Sequence, residues 1–176
     1  MTNTVWNIDP THSEIGFKVK HMMFTNVSGK FNDFTSTIKN VDATFETSEI
    51  SFTAKVASID TNNADRDTHL KSADFFETEL YQDIVFTSTS IQKKTDNYYV
   101  VTGMLTIKGE TKEVAFNAEY SGVLVDPWGN TKIGLSLESK INRKEFGLTW
   151  NAGLETGGVL VGEDIKLFAE VQFAKV

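Results

Sequence analysis

The end of the chain alternates with a period of two. Ile165, Leu167, Ala169, Val171 and Phe173 are apolar, with Lys166, Glu170 and Gln172 between them. That period describes a strand with one apolar and one wet face. It recurs at Ile15, Phe17 and Val19, at Val41, Ala43 and Phe45, and from Ile50 through Phe52 and Ala54 to Val56. It returns at Tyr99, Val101, Leu105 and Ile107, at Val114, Phe116, Ala118 and Tyr120, and at Ile133, Leu135, Leu137 and Ile141. One-sided strands suit an antiparallel sheet or barrel and not a doubly wound parallel sheet. The prediction is an all-β fold of about eight to ten strands, a single domain over residues 1–176. Closing such a sheet into a barrel removes its edges. About eight strands leave an interior that is either filled by side chains or holds one ligand.

Turn chemistry falls between the strands. Asp96-Asn97, Lys108-Gly109-Glu110, Pro127-Trp128-Gly129-Asn130 and Gly162-Glu163-Asp164 read as connections. The phase slips between Val56 and Ile59, a bulge or strand end. Alternation is lost from about Asp60 to Tyr81. Thr61, Asn62 or Asn63 caps a short helix there, running to about Lys71, within a helical insertion around residues 62–76.

Composition removes several function classes. There is no cysteine, so disulfides, thiolate zinc sites and a cysteine nucleophile are excluded. The net charge of −7 argues against nucleic acid as a partner. No apolar run is long enough for a membrane-spanning helix. The opening Met-Thr-Asn-Thr-Val-Trp lacks the basic and apolar regions of a secretory leader, so a cytoplasmic protein is expected, or a periplasmic one if a leader was removed. Thirteen of the 20 aromatic residues are Phe, which has no polar handle and must be buried dry or face something greasy.

The catalytic inventory is thin. His12, His21 and His69 lack the close spacing of metal ligands, and no nucleophile elbow, P-loop or dinucleotide fingerprint is present. No catalytic residue, metal or cofactor is predicted. Two clusters stand out. Asp65-Arg66-Asp67-Thr68-His69-Leu70-Lys71 lies beside Phe75-Phe76 and reads as a solvated helix turn anchored on the barrel, or as a lid with an apolar underside. Arg143-Lys144-Glu145-Phe146-Gly147-Leu148-Thr149-Trp150-Asn151 interrupts two good strands, and its bulky residues either plug one barrel end or line a ligand mouth.

With the start of the chain, these clusters resemble the YceI-like lipid- and polyisoprenoid-binding family. The matching residues include Trp6-x-Ile8-Asp9-x-x-His12-Ser13-x-Ile15-x-Phe17-x-Val19-x-His21 and Gly29-x-Phe31. They continue with Thr61-x-x-x-x-Arg66-Asp67-x-His69-Leu70-x-Ser72-x-Asp74-Phe75-Phe76 and Gly103-x-Leu105-Thr106-Ile107-x-Gly109-x-Thr111-Lys112. Last come Arg143-x-x-Phe146-Gly147-Leu148-Thr149-Trp150 and Gly158-x-x-Val161-Gly162. Gln82 and Glu113 stand where that family often has proline. The resemblance implies a lipocalin-like barrel with a helical insertion, a long isoprenoid or fatty-acyl chain in the lumen, and a homodimer.

The leading expectation is therefore binding, carriage or sequestration of a long apolar lipid. Burying about 20 carbons is worth roughly 16 kcal/mol, against about 4–15 kcal/mol for association and ordering. Phe17, Val19, Phe31, Phe52, Phe86, Leu105, Phe116, Leu135, Phe146 and Trp150 are the lumen candidates. Phe75 and Phe76 close the helical side, and His12, Arg66, His69 and Arg143 supply a polar mouth. The alternatives are an isomerase- or cyclase-like enzyme using Arg66, Asp67 and His69, and a filled barrel that binds a protein partner or serves in stress.

Overall fold

The computed structural model describes residues 4–41, 44–154 and 160–176. The alternating segments form β1 (Val5–Ile8), β2 (Glu14–His21), β3 (Thr25–Phe31), β4 (Phe34–Lys39), β5 (Glu49–Lys55) and β6 (Ile59–Asp60). Helix α1 (Ala64–Lys71) follows, then β7 (Asp83–Thr95), β8 (Tyr98–Ile107), β9 (Glu110–Val125), β10 (Thr131–Asn142) and β11 (Val161–Lys175). All pairings are antiparallel. The sheet closes through β1-β4-β5-β7-β8-β9-β10-β11 and back to β1, an eight-stranded barrel.

Three of the eight staves are broken chain segments. A 3-10 turn at Pro10–His12 separates β1 from β2, and both halves pair with β11. The local cause is Pro10, which has no N–H to give a ladder, together with Asp9, whose carboxylate accepts from the Thr11 N–H at 3.0 Å. A bend at Asn32 and Asp33 separates β3 from β4. A 3-10 turn at Val56–Ser58 separates β5 from β6, at the place where the hydrophobic phase slips. β6 pairs with β3 only at Lys30 and Phe31, so among the described residues β3 from Thr25 to Gly29 has no strand on its outer side. The connection from β6 to β7 carries α1, and the turn after it sets Phe76 edge-on to Phe31 at the end of β3.

The two ends of the barrel differ. At one end the 3-10 helix Phe45–Thr47 places Phe45 between Tyr99 and Tyr120, with centroids at 5.0 and 4.5 Å. Trp6, Ile38 and Val41 are buried beside it, so this end is sealed. The expected strand through Val41 and Phe45 is thus a turn and a 3-10 helix, because Phe45 gains more from stacking across the barrel end than from a ladder; Ala43 lies outside the described residues. The other end carries α1, the β2–β3 turn and the segment after β10. The expected turn at Gly162-Glu163-Asp164 is instead the start of β11. The residue preceding that run in the matched motif, Gly158, lies outside the described residues.

Candidate functional site

The inward faces enclose a cavity of about 130 Å³. Of the residues nominated from the sequence, Phe31, Phe52, Phe86, Leu105, Phe116 and Leu135 line it. Ile8, Ile15, Ile50, Ala54, Ile84, Val101, Ile107, Leu137, Leu167, Ala169 and Val171 add aliphatic wall, and Gly16, Phe168 and Phe173 also line it. Most of them belong to the alternating sets already read from the sequence, but the emphasis on aromatic bulk passed over them. Ser36 is the one lining side chain with a polar group, and its hydroxyl donates to the Ser51 carbonyl at 2.7 Å. With that proton committed, the Ser36 oxygen keeps only acceptor capacity, and no other lining side chain among the described residues can bond a polar head group.

Close approach shapes the aromatic part of the wall. Phe86 lies flat on Gly103 and meets Phe116 edge-on, centroids 5.2 Å apart. Phe17 covers Gly29 in the same way and contacts Phe31 at 5.8 Å. Any side chain at either glycine would collide with the ring, so these two positions set where the rings lie.

The inward face of β2 carries two more residues nominated for the lumen, Phe17 and Val19, which lie outside the lining of the cavity. Phe17, Val19, Val27, Ile165 and Leu167 point inward yet are only half-buried, whereas Val171, Phe173, Ile133 and Leu135 toward the sealed end are buried. An inward side chain that still meets water marks an opening. It lies where β3 lacks its outer neighbour, and Phe31 stands at its throat between Phe17 and Phe76, the latter 6.4 Å away.

Helix α1 and the turn after it form the far lip. Asn63 caps the helix, its side chain accepting from the Arg66 N–H at 3.0 Å. The Arg66 guanidinium reaches back to the Thr61 hydroxyl at 2.8 Å and carbonyl at 2.6 Å, and Asp67 accepts from the Thr61 N–H at 2.9 Å. His69 Nε2 bonds Asp74 at 2.8 Å, and its ring packs edge-on against Phe75 and Trp150 at 5.1 and 4.7 Å. Phe75 is buried, while Phe76 and Trp150 are half-buried. The most distinctive polar residues of the sequence are therefore engaged in holding the lip in place.

Arg143 has the same kind of role. Only 2% exposed, it donates to the carbonyls of Gly162 at 2.8 Å, Leu148 at 2.6 Å, Trp150 at 2.9 Å and Val161 at 3.3 Å. Burial pulls its pKa below the ordinary value, and Glu163 opposes that. Phe146, 1% exposed, is core packing. His12 stands on the outer bend between β1 and β2, bonded to Asp9 at 2.9 Å and remote from the opening. The Thr11 hydroxyl, and then His12, hold the Asp9 carboxyl at about 2. Among the described residues, no three His, Asp or Glu stand close enough to hold a metal ion.

Comparison with known proteins places these features in a lineage. The model of the YceI-like domain matches residues 6–173. A UPF0312 protein of Staphylococcus aureus is 37% identical over 175 residues, 99% of this chain and 98% of that protein. The structure of the Campylobacter jejuni YCEI protein superposes with a TM-score of 0.75 at 35% identity, covering 88% of each chain. A polyisoprenoid binding domain from Saccharophagus degradans shares the fold, with a TM-score of 0.70 at 14% identity over 96% of this chain and 97% of that one.

Proposed function

This chain belongs to the YceI-like family, and we propose that it binds and carries a long apolar lipid of the polyisoprenoid or fatty-acyl type. The observation that carries this reading is the cavity, whose lining among the described residues is apolar except for the Ser36 hydroxyl. The polyisoprenoid-binding description of the S. degradans domain agrees with it.

Size argues for a long ligand. An apolar cavity of about 150 Å³ takes one benzene ring, so the 130 Å³ here seats about six carbons. At about 0.8 kcal/mol per methylene they gain ~5 kcal/mol, close to the lower bound of about 4 kcal/mol that association costs. Useful affinity requires the chain to continue along Phe17, Val19 and Ile165 into the opening. A free interior also speaks against a barrel packed solid for another purpose. Arg66, Asp67 and His69 are bonded within the lip, which favours binding over catalysis.

A second copy of the chain is part of this reading. The β9–β10 arm at the sealed end exposes Leu124, Val125 and Trp128, the last at 83%. Pairing there leaves the opening free. Solvent extraction of purified protein followed by mass spectrometry tests the carrier reading, with uptake of added prenol and fatty acid measured in parallel. Lipid in the extract or saturable uptake is expected; empty extracts and no uptake overturn it.

A further inference from the structure

We propose that the β2–β3 turn docks the open end of the barrel onto an anionic lipid bilayer, through a greasy tip and a row of lysines beside it. The inference rests on the carrier reading and adds the partner from which cargo is exchanged.

The tip is unusual in both conformation and composition. Met22 and Met23 occupy the left-handed region, with φ of 50° and 65°. Two-residue hairpin turns of this hand favour Asn-Gly, since a side chain at positive φ is strained. The next residue, Phe24, is 81% exposed, and Met22 and Met23 are 43% and 62% exposed. Three large apolar side chains thus project into solvent from a turn that two of them strain. Neither burial nor turn geometry accounts for them, whereas insertion into the acyl boundary of a bilayer does.

The lysines make a second, independent anomaly. Lys140, Lys166 and Lys18 lie side by side in register across β10, β11 and β2, facing outward. Like charges directly opposite one another weaken a sheet. Lys20 extends the patch toward the tip on the same face of β2. Acidic neighbours cancel only part of the patch: Asp164 pairs with Lys140 at 3.3 Å and Glu163 with Lys144 at 2.7 Å, while Glu138 and Glu170 line the same outer groove farther from the tip. Lys18, Lys20 and Lys166 have no ion-pair partner among the described residues. In a chain of net charge −7, this patch directs one end toward a negative surface.

Position unites the two. The half-buried strip of Phe17 and Val19 leads from the cavity to the tip along the same strand. A docked tip brings the opening to the acyl region, so a lipid moves between bilayer and cavity with little of its length in water.

Flotation with vesicles of phosphatidylglycerol and phosphatidylcholine, and with phosphatidylcholine alone, tests the proposal. Uptake of a soluble short-chain prenol is measured separately without vesicles. Binding is expected to anionic vesicles, weakening with added salt. Lys18→Gln with Lys166→Gln lowers it about fivefold per lysine removed. Met22→Asn with Met23→Gly and Phe24→Ser lowers it at least about tenfold while soluble uptake is unchanged. The Asn-Gly pair suits the turn, so misfolding does not explain a loss. Wild-type protein that takes up prenol but ignores anionic vesicles refutes docking and leaves the carrier reading standing. Loss of prenol uptake in solution refutes the carrier reading instead. Vesicle binding that survives the tip substitutions, or tip variants that change only self-association, also overturns the proposal.

Discussion

Filling the cavity separates a ligand site from a packing defect. Ala169 lies on the wall of β11, inward beside Leu137 of β10 and Ile15 of β2. Ala169→Phe adds a ring that occupies most of the 130 Å³, since about 150 Å³ suffices for benzene. A lipid then loses the places of about six carbons, worth ~5 kcal/mol, or between three and four decades in Kd. Overpacking costs about 1–3 kcal/mol, offset in part by burial of the new ring, so the variant should fold. The assay is titration with a polyene fatty acid whose fluorescence rises in apolar surroundings, with thermal unfolding alongside. At a hundredfold excess over Kd, ligand should stabilise the wild type by about 2.7 kcal/mol and leave Ala169→Phe unshifted. A folded Ala169→Phe protein that binds with wild-type affinity would place the ligand outside the barrel and refute the reasoning.

Arg143→Met keeps the aliphatic stem but takes a donor from the carbonyls of Gly162, Leu148 and Trp150, while Val161 keeps Asn151; it should cost about 3–5 kcal/mol in urea unfolding, and a loss below about 1 kcal/mol would show the guanidinium to be dispensable. Asp9, with its carboxyl held at about 2, contributes stability above its unfolded value of about 3.9 that disappears as pH falls through about 2. Because water reaches that carboxylate, Asp9→Asn should cost only ~1 kcal/mol at neutral pH and nothing in strong acid; an equal loss at both pH values contradicts the assignment. A Cβ at Gly103 would collide with the Thr87 carbonyl oxygen, part of the backbone, whereas at Gly29 its three nearest atoms all belong to the Phe17 ring. Gly103→Ala should therefore destabilise by about 1–3 kcal/mol and Gly29→Ala by less, the latter turning Phe17 into the opening and slowing uptake; the reverse order would refute the packing argument. Met22→Asn with Met23→Gly should raise the urea midpoint by relieving two strained residues, a gain of about 1 kcal/mol in total; a fall would show that the methionines stabilise the turn.

How much of this was legible in the sequence follows from what each residue is answerable to. Ile133, Leu135, Val171 and Phe173 answer only to the period of their own strand, and all four face the core. α1 starts after Asn63, one of the caps read from the sequence, because the cap and the acidic first turn are local signals. Phe45 answers to Tyr99 and Tyr120, far away in sequence, so its alternation misleads. Arg143 and His69 carry chemically active groups, and nothing local tells that carbonyls, Asp74 and two aromatic rings engage them. Cavity size is the least legible quantity. It depends on how far Phe17, Phe31, Phe86 and Phe116 lean into one another, which one missing Cβ at Gly29 or Gly103 decides.

The breaks in the barrel explain why it opens at one end only. An unbroken stave over β5 and β6 would pair with the whole of β3 and close the wall. The turn at Val56–Ser58 diverts the chain, β6 holds β3 at two residues only, and the chain goes on into α1 and a turn that packs Phe76 on Phe31. The exposed ladder groups of β3 from Thr25 to Gly29 are an edge that natural sheets usually protect. Here that edge borders the opening, beside the strained Met22-Met23 turn and the like-charged row of lysines. Three local departures from what favours stability thus meet at the end where the apolar interior reaches solvent. At the sealed end Phe45, Tyr99 and Tyr120 stack and Trp6 is fully buried. That asymmetry is what a container needs: closure at one end to hold the chain dry, and at the other a wall left incomplete so that the chain can enter.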